Sequence, residues 1–244
     1  MSLIDHFEEL RERVLRSLFA ILIGSIFSFI FIKDIVKLLE SPAKGVHFLQ
    51  LAPGEFLFIS IKVAGYSGLI FSLPFIIFQL LRFIFPGLTE KEKKIITPAV
   101  AGSAILFFFG LYFSLSVLIP AALKFLINYG ADVVEPIWSI ERYLDFVLLL
   151  MVSTGLAFQL PIIQFILGSL GLIKSKKMLS SWRSVILSAS IAGAVLTPST
   201  DPVTMILLAA AISGLFLIGV GLVAFTEKFK QETPSIAHPP STAD

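Results

Sequence analysis

Two glutamates lie among basic residues in the polar segments that flank the first apolar runs of this sequence. Glu9 stands in EELRERV and Glu92 in LTEKEKK. A carboxylate pairs with a guanidinium through two charge-assisted hydrogen bonds, which strengthen where water is partly excluded. Both glutamates are therefore candidates for binding a ligand that carries arginine. A structural role also fits, because Glu9 stands four residues before Arg13 on a helix and Glu92 would lie in a first helical turn, where the helix dipole favours negative charge.

Two glutamines interrupt the fourth apolar run of the sequence. Gln159 and Gln164 flank Pro161 in GLAFQLPIIQF. A polar amide in lipid turns towards a protein partner, so each glutamine can form a hydrogen bond between helices. The alternative is a polar spot that lines a groove entered by a substrate segment.

Acidic residues at the ends of later runs have structural explanations. In TPSTDP, Thr200 or Asp201 can cap the helix that follows, with Pro202 in its first turn. An interfacial ion-pair group is predicted at the start of the fourth run for three charged residues, Glu141, Arg142 and Asp145.

The sequence contains nothing that supports catalysis. It has no cysteine and only three histidines, and it shows no phosphate-binding glycine loop, HExxH pattern or nucleophile elbow. We therefore predict no catalytic residue, no metal site and no cofactor. A net charge of +2, with basic residues dispersed between apolar runs, also argues against nucleic-acid binding.

The composition indicates an all-α polytopic membrane protein. Hydrophobic residues make up 56% of the 244 residues and charged residues 15%. Six apolar runs predict six transmembrane helices, and strict alternation typical of barrel strands is missing, so a closed barrel is the weak alternative. No cleavable signal peptide is evident. The runs are Val14 to Ile32, Phe56 to Leu81, Ile95 to Ile119, Phe146 to Ile173, Val185 to Leu196 and Val203 to Phe225.

The predicted architecture is one domain, 1–225, forming a curved bundle, followed by a disordered tail, 226–244. The fifth run has twelve residues, which at about 1.5 Å each give roughly 18 Å of helix. We therefore expect short fifth and sixth helices joined by the TPSTDP turn. Pro74 and Pro161 are expected to kink their helices and so to produce a concave surface.

The distribution of basic residues predicts the orientation. Thirteen Lys and Arg residues fall in one set of connecting segments and six in the other. Because Lys and Arg are enriched on the cytoplasmic side, both termini and the loops at 82–94 and 174–184 should be cytoplasmic. The longer loops at 33–55 and 120–142 should form caps or interfacial helices on the far side.

Five segments together resemble the TatC family. They are HFEELRERV, APGEFLFISIK, LPFIIFQLLRFIFPGLTEKEKK, GLAFQLPI and AGAVLTPSTDP, and the resemblance extends to about Phe225. It implies a core receptor subunit of the twin-arginine translocase, which carries folded proteins across the bacterial inner membrane or the thylakoid membrane by means of the proton-motive force. For this chain we expect the bacterial inner membrane. The implied partners are the bilayer, further copies of the chain, single-span TatA-type and TatB-type proteins, and twin-arginine signal peptides.

The resemblance also implies roles for individual residues. Glu9 and Glu92 match the acidic residues that bind the signal peptide, whereas Gln159 stands where many members have glutamate. Lys93 and Lys94 replace the usual arginines, and Leu81 or Arg82 replaces an aromatic residue. Arg11, Arg13, Phe83 and Pro86 fall in the same matching segments. Pro42 matches a proline of an outer loop, and Asp201 matches the acid of the last outer turn.

Two other functions remain open from the residues alone. A secondary transporter or channel for a small solute would ordinarily need ionisable groups or broken helices near the middle of the membrane, where this chain carries mainly neutral polar residues. A purely structural membrane scaffold is the third possibility. The residues alone do not separate this scaffold from a receptor, and it is the resemblance to the TatC family that favours the receptor.

Overall fold

The structure is a computed structural model that describes residues 3–43, 45–84, 90–129, 137–197 and 201–232. For some helical residues the description covers the backbone alone, namely 3–5, 84, 90–92, 94–95, 100 and 229–232. Within these ranges the chain is almost entirely helical. The helices are α1 Leu3–Ile30, α2 Ile32–Glu40, α3 Glu55–Ile84, α4 Glu90–Phe113, α5 Ile119–Tyr129, α6 Ile140–Ala157, α7 Leu160–Ser169, α8 Ser175–Ser180, α9 Trp182–Leu196 and α10 Pro202–Glu232.

The six apolar runs correspond to five long apolar helical segments and one short helix. Four of the long segments are His6–Ile30, Glu55–Phe83, Ile96–Tyr129 and Ile140–Ser169. The predicted short fifth helix is α9, with 15 residues. The prediction of a short sixth helix is wrong, because α10 has 31 residues.

The predicted start of the disordered tail at residue 226 is also wrong. Helix α10 continues past Phe225 to Glu232. One physical reason is that Glu227 accepts hydrogen bonds from the backbone N–H and the hydroxyl of Ser175, which ties this part of α10 to the start of α8. Residues 233–244 lie outside the described residues.

The third and fourth runs are both interrupted helices. A five-residue π-helical segment, Ser114–Leu118, connects α4 to α5. The fourth run breaks between α6 and α7, where Pro161 stands in the first turn of α7 and lacks an N–H to continue the preceding helix. Pro74, in contrast, lies inside the continuous helix α3.

The longer loops contain regular structure, as expected. The loop at 33–55 contains most of α2 and strand β1, His47–Leu49, and the loop at 120–142 contains most of α5, strand β2, Ile137–Ser139, and the start of α6. The two strands pair in parallel with Phe48 opposite Trp138. We call this end of the bundle the sheet end, and the opposite end, where α1 begins and α3 ends, the Glu9 end.

Helix α6 lies at the centre of the hydrophobic core, whereas α1 lies at its edge. In the most apolar part of α6 and α7, 61% of residues are buried, against 6% in α1. Helix α1 packs mainly along α3. The position of residues near the start of α1 therefore depends on this one helix pair.

Candidate functional site

Glu9 lies in an ion-paired cluster between α1 and α3 at the Glu9 end. Arg13 donates from Nη2 to Glu9 Oε1, and its Nη1 donates to Oε1 of Gln79 at 3.4 Å. The side chains of Arg13 and Glu9 are 12% and 20% exposed. Within the part of the chain that the structure describes, Glu9 Oε2 and Arg13 Nε are buried without a hydrogen-bond partner. The carboxylate is therefore desolvated but only partly satisfied.

Apolar and aromatic groups surround this cluster. A cavity of about 150 Å³ lies between α1 and α3, next to Arg13 and Gln79. Phe83, which the sequence singled out, lines this cavity and stacks on His6 with ring centroids 4.3 Å apart. Groups of this kind exclude water and so strengthen a charge-assisted hydrogen bond at Glu9. The remaining apolar lining residues are Leu10, Val14, Leu18, Ile76 and Leu80.

The other predicted residues of the binding site are only partly placed. Arg11 is exposed on α1, beside Glu8 and Glu12, and does not belong to the Glu9 cluster. Lys93 lies in the first turn of α4 and is partly buried. The side chains of Glu92 and Lys94, and all of Pro86, lie outside the described residues. That Glu9 and Glu92 together form one binding site therefore stays a prediction.

Gln159 links two helices through a closed pair of hydrogen bonds. Its Oε1 accepts from the Ser103 hydroxyl at 2.5 Å, and its Nε2 donates to the Ser103 carbonyl at 3.2 Å. A carboxylate could accept the first bond but not donate the second, so the amide suits this partner. Gln164, the other glutamine of the run, has a buried Oε1 without a hydrogen-bond partner among the described residues.

We expect Gln159→Leu to destabilise the protein by about 1–3 kcal/mol, because it leaves the buried Ser103 hydroxyl without its acceptor. Gln164→Leu is the matched control, since both glutamines are 8% exposed, and it should cost less than about 1 kcal/mol. Unfolding in SDS and detergent mixtures measures both changes. Equal losses for the two variants would contradict the assignment of Gln159 as a helix link.

Asp201 and Pro42 occupy structural positions near the ends of helices. Asp201 is 2% exposed and caps α10, because Oδ1 accepts from the Thr204 N–H at 2.8 Å and Oδ2 accepts from the Thr204 hydroxyl. The cap predicted for Thr200 or Asp201 is thus formed by Asp201. Pro42 follows α2 and stands in a turn where the Ala43 N–H donates to the Glu40 carbonyl at 2.9 Å. Burial raises the pKa of the Glu40 carboxyl above its ordinary value.

Lys62 is the basic member of the predicted interfacial ion-pair group, a role that the sequence pattern suggested for Arg142. Its Nζ lies 2.8 and 3.0 Å from the two carboxylate oxygens of Asp145 and 3.5 Å from Oε1 of Glu141. Lys62 is on α3 and the acids are on α6. No local signal could have paired residues 83 positions apart.

Two polar side chains that hold the sheet end together were not predicted from the sequence. Glu55 is 6% exposed and accepts from the Ala52 N–H at 3.0 Å and from the Ser139 hydroxyl at 3.2 Å. Tyr143 donates its hydroxyl hydrogen to the Leu39 carbonyl at 2.7 Å. Glu55 stands in the segment APGEFLFISIK, so the acid itself was visible there, whereas its bonding partners were not.

These features define a polytopic helical membrane protein with a partly desolvated acidic site at one end. Comparison with known proteins gives the family. The family model described as "Sec-independent protein translocase protein (TatC)" matches residues 5–210. The chain belongs to the TatC family, whose members are components of a protein translocase and not enzymes.

Two curated relatives and one crystal structure illustrate this similarity. The Sec-independent protein translocase protein TatC of a Synechocystis strain is 57% identical over 93% of this chain and 90% of the relative. The chloroplastic protein TATC of Pisum sativum is 53% identical over 91% of this chain and 64% of its own length. A crystal structure of the twin-arginine translocase receptor TatC superposes with a TM-score of 0.80 and 35% identity, covering 91% of this chain and 99% of that one.

Proposed function

We propose that this chain is the receptor of a twin-arginine translocase and that Glu9, together with Glu92, binds the arginines of a signal peptide. The observation that carries the proposal is that Glu9 already holds a guanidinium, that of Arg13, in a partly buried site and still has one carboxylate oxygen without a described partner. A site that binds one guanidinium has the geometry and the charge to bind another. The similarity of the chain to the crystal structure of a twin-arginine translocase receptor supports the same function.

The proposal also covers the orientation of the receptor, its membrane, its partners and its source of energy. We place the Glu9 end and both termini in the cytoplasm of a bacterium and the helices in its inner membrane, because basic residues concentrate at the connecting segments of that end. TatA-type and TatB-type single-span proteins are the proposed partners, together with other copies of the chain. The proton-motive force is the proposed source of energy for transport.

Peptide binding tests the role of Glu9. The measurement is fluorescence anisotropy of a labelled peptide with consecutive arginines, titrated with the detergent-solubilised protein. Glu9→Gln should weaken binding roughly 10- to 100-fold, since it removes the charge from a hydrogen-bonded pair. A peptide with two lysines should bind more weakly than the arginine peptide and should be less affected, because ammonium lacks the planar fork of guanidinium.

Glu12→Gln is the matched control for this experiment. Glu12 also pairs with an arginine four residues later, but Glu12 and Arg16 are 62% and 50% exposed. Glu12→Gln changes the net charge of α1 by the same amount as Glu9→Gln. It should alter binding of the peptide less than about threefold. If Glu9→Gln and Glu12→Gln bind the arginine peptide equally well, the proposed site is wrong.

A further inference from the structure

We infer that Arg13 is a resident counter-cation of Glu9, which an incoming peptide arginine displaces, and that Gln79 holds Arg13 after the exchange. This inference rests on the proposed binding of a peptide arginine at Glu9. It adds a regulatory residue to that site, because the affinity for the peptide would then depend on the strength of an internal ion pair.

The first observation is that the receptor carboxylate is already paired. Arg13 and Glu9 are four residues apart on α1, and their side chains are mostly buried. A ligand arginine must therefore compete with an arginine that is held at high local concentration by the helix itself. The apparent dissociation constant of the peptide equals the intrinsic constant divided by the fraction of molecules in which Glu9 is free.

The second observation is that the internal pair is incomplete. Guanidinium and carboxylate groups can form two parallel hydrogen bonds. Here one hydrogen bond joins Arg13 to Glu9, while Glu9 Oε2 and Arg13 Nε are buried without a described partner. A peptide arginine that approaches in the bidentate geometry would satisfy both carboxylate oxygens. The incoming pair can thus be stronger than the resident one.

The third observation is that Arg13 has a second acceptor nearby. Gln79 of α3 is 5% exposed, and its Oε1 lies 3.4 Å from Arg13 Nη1. A small movement of the guanidinium towards α3 would shorten this contact while the contact to Glu9 is lost. Leaving a guanidinium unpaired in a buried site is costly, so this amide oxygen lowers the cost of displacement.

Arg16→Gln is a matched control for Arg13→Gln. Each substitution removes one positive charge from α1, and each arginine pairs with a glutamate four residues earlier. Arg16 pairs with the exposed residue Glu12 and is not part of the Glu9 site. Any general repulsion of a cationic peptide by the positive charge on α1 is relieved in both variants.

We expect Arg13→Gln to tighten binding of the labelled arginine peptide to the full-length, detergent-solubilised protein by about 3- to 10-fold, because the competitor is gone. Arg16→Gln should change it less than about twofold. A peptide with two lysines should gain less than the peptide with two arginines, because its binding depends less on Glu9. Weaker binding of Arg13→Gln, or a change equal to that of Arg16→Gln, would overturn the inference.

Two further variants separate displacement from a structural role. Gln79→Leu should weaken peptide binding about two- to threefold, because displaced Arg13 then has no acceptor. Tighter binding in this variant would contradict the exchange. The double variant Glu9→Gln with Arg13→Gln should bind as Glu9→Gln does, because no carboxylate is left to release, and an additive gain would refute the mechanism. If Glu9→Gln itself binds like wild type, the proposed function fails instead.

Discussion

Gly68→Val is expected to separate α1 from α3 and to abolish the Glu9 site. A Cβ atom on Gly68 would lie 2.5 Å from Ser25 N and 2.7 Å from Ser25 Cα, and it would be closer still to Ser25 Oγ. Two of these atoms belong to the backbone of α1, so no side-chain rotation can make room. In a membrane, helices associate through close packing of small residues, and overpacking costs about 3 kcal/mol or more where neither backbone can move.

Separation of the two helices also disrupts the Glu9 site, because α1 packs mainly against α3. Once the crossing at Gly68 opens, the contact between Arg13 and Gln79 is lost, and the cavity beside Glu9 loses one of its two walls. Binding of the twin-arginine peptide should therefore fall below detection. The two helices should also lose their native spacing.

Spin labels can measure that spacing directly, because the chain has no cysteine. Cysteines introduced at Phe19 and Phe71, both exposed, place one label on each helix. A single narrow distance should become broad and longer in Gly68→Val. Gly65→Val is the control on the same helix, since a Cβ there meets nothing within 4 Å. An unchanged distance in Gly68→Val would show that the crossing tolerates the added volume.

The apolar runs predicted the helices well because each is bounded by charge. The same reasoning failed where a helix leaves the apolar region. Helix α10 continues beyond Phe225 into polar residues, where Ser175 bonds to Glu227. Most of helix α5 lies in the loop at 120–142, where caps or interfacial helices were expected, and Pro120 stands in its first turn, where a proline is tolerated. Polar composition therefore marked the end of the apolar run and not the end of the helix.

For Glu9, the partner on its own helix could be predicted from the sequence, whereas the partner on a neighbouring helix could not. Both glutamates were recognised as carboxylates beside basic residues, and the pairing of Glu9 with Arg13 follows from their spacing on one helix. The contact to Gln79 depends on how α1 crosses α3, which no local pattern encodes. In the same way, Asp145 was given the neighbouring Arg142 as partner, whereas the tertiary structure brings Lys62 to it.

Asp201→Ala is expected to destabilise the protein by roughly 2–4 kcal/mol, from the lost N-cap and from a buried hydroxyl left without a strong acceptor. Thr204 is fully buried, and its hydroxyl reaches the Asp201 carbonyl only at 3.5 Å. The resemblance to TatC proteins made Asp201 a candidate functional acid, whereas the structure makes it a helix cap. Unfolding in SDS and detergent mixtures measures the loss.

Asp201→Asn distinguishes these two roles, because asparagine keeps an oxygen that accepts from the Thr204 N–H but cannot ionise. If capping is the main role, Asp201→Asn should remain within about 1 kcal/mol of wild type, since asparagine is as good an N-cap as aspartate, and transport in a reconstituted system should persist. If Asp201→Asn is stable but transport is lost, the negative charge itself is required. If Asp201→Asn is as unstable as Asp201→Ala, the cap depends on the ionised carboxylate. The two hydrogen bonds to Thr204 would then not account for the stability of this turn by themselves.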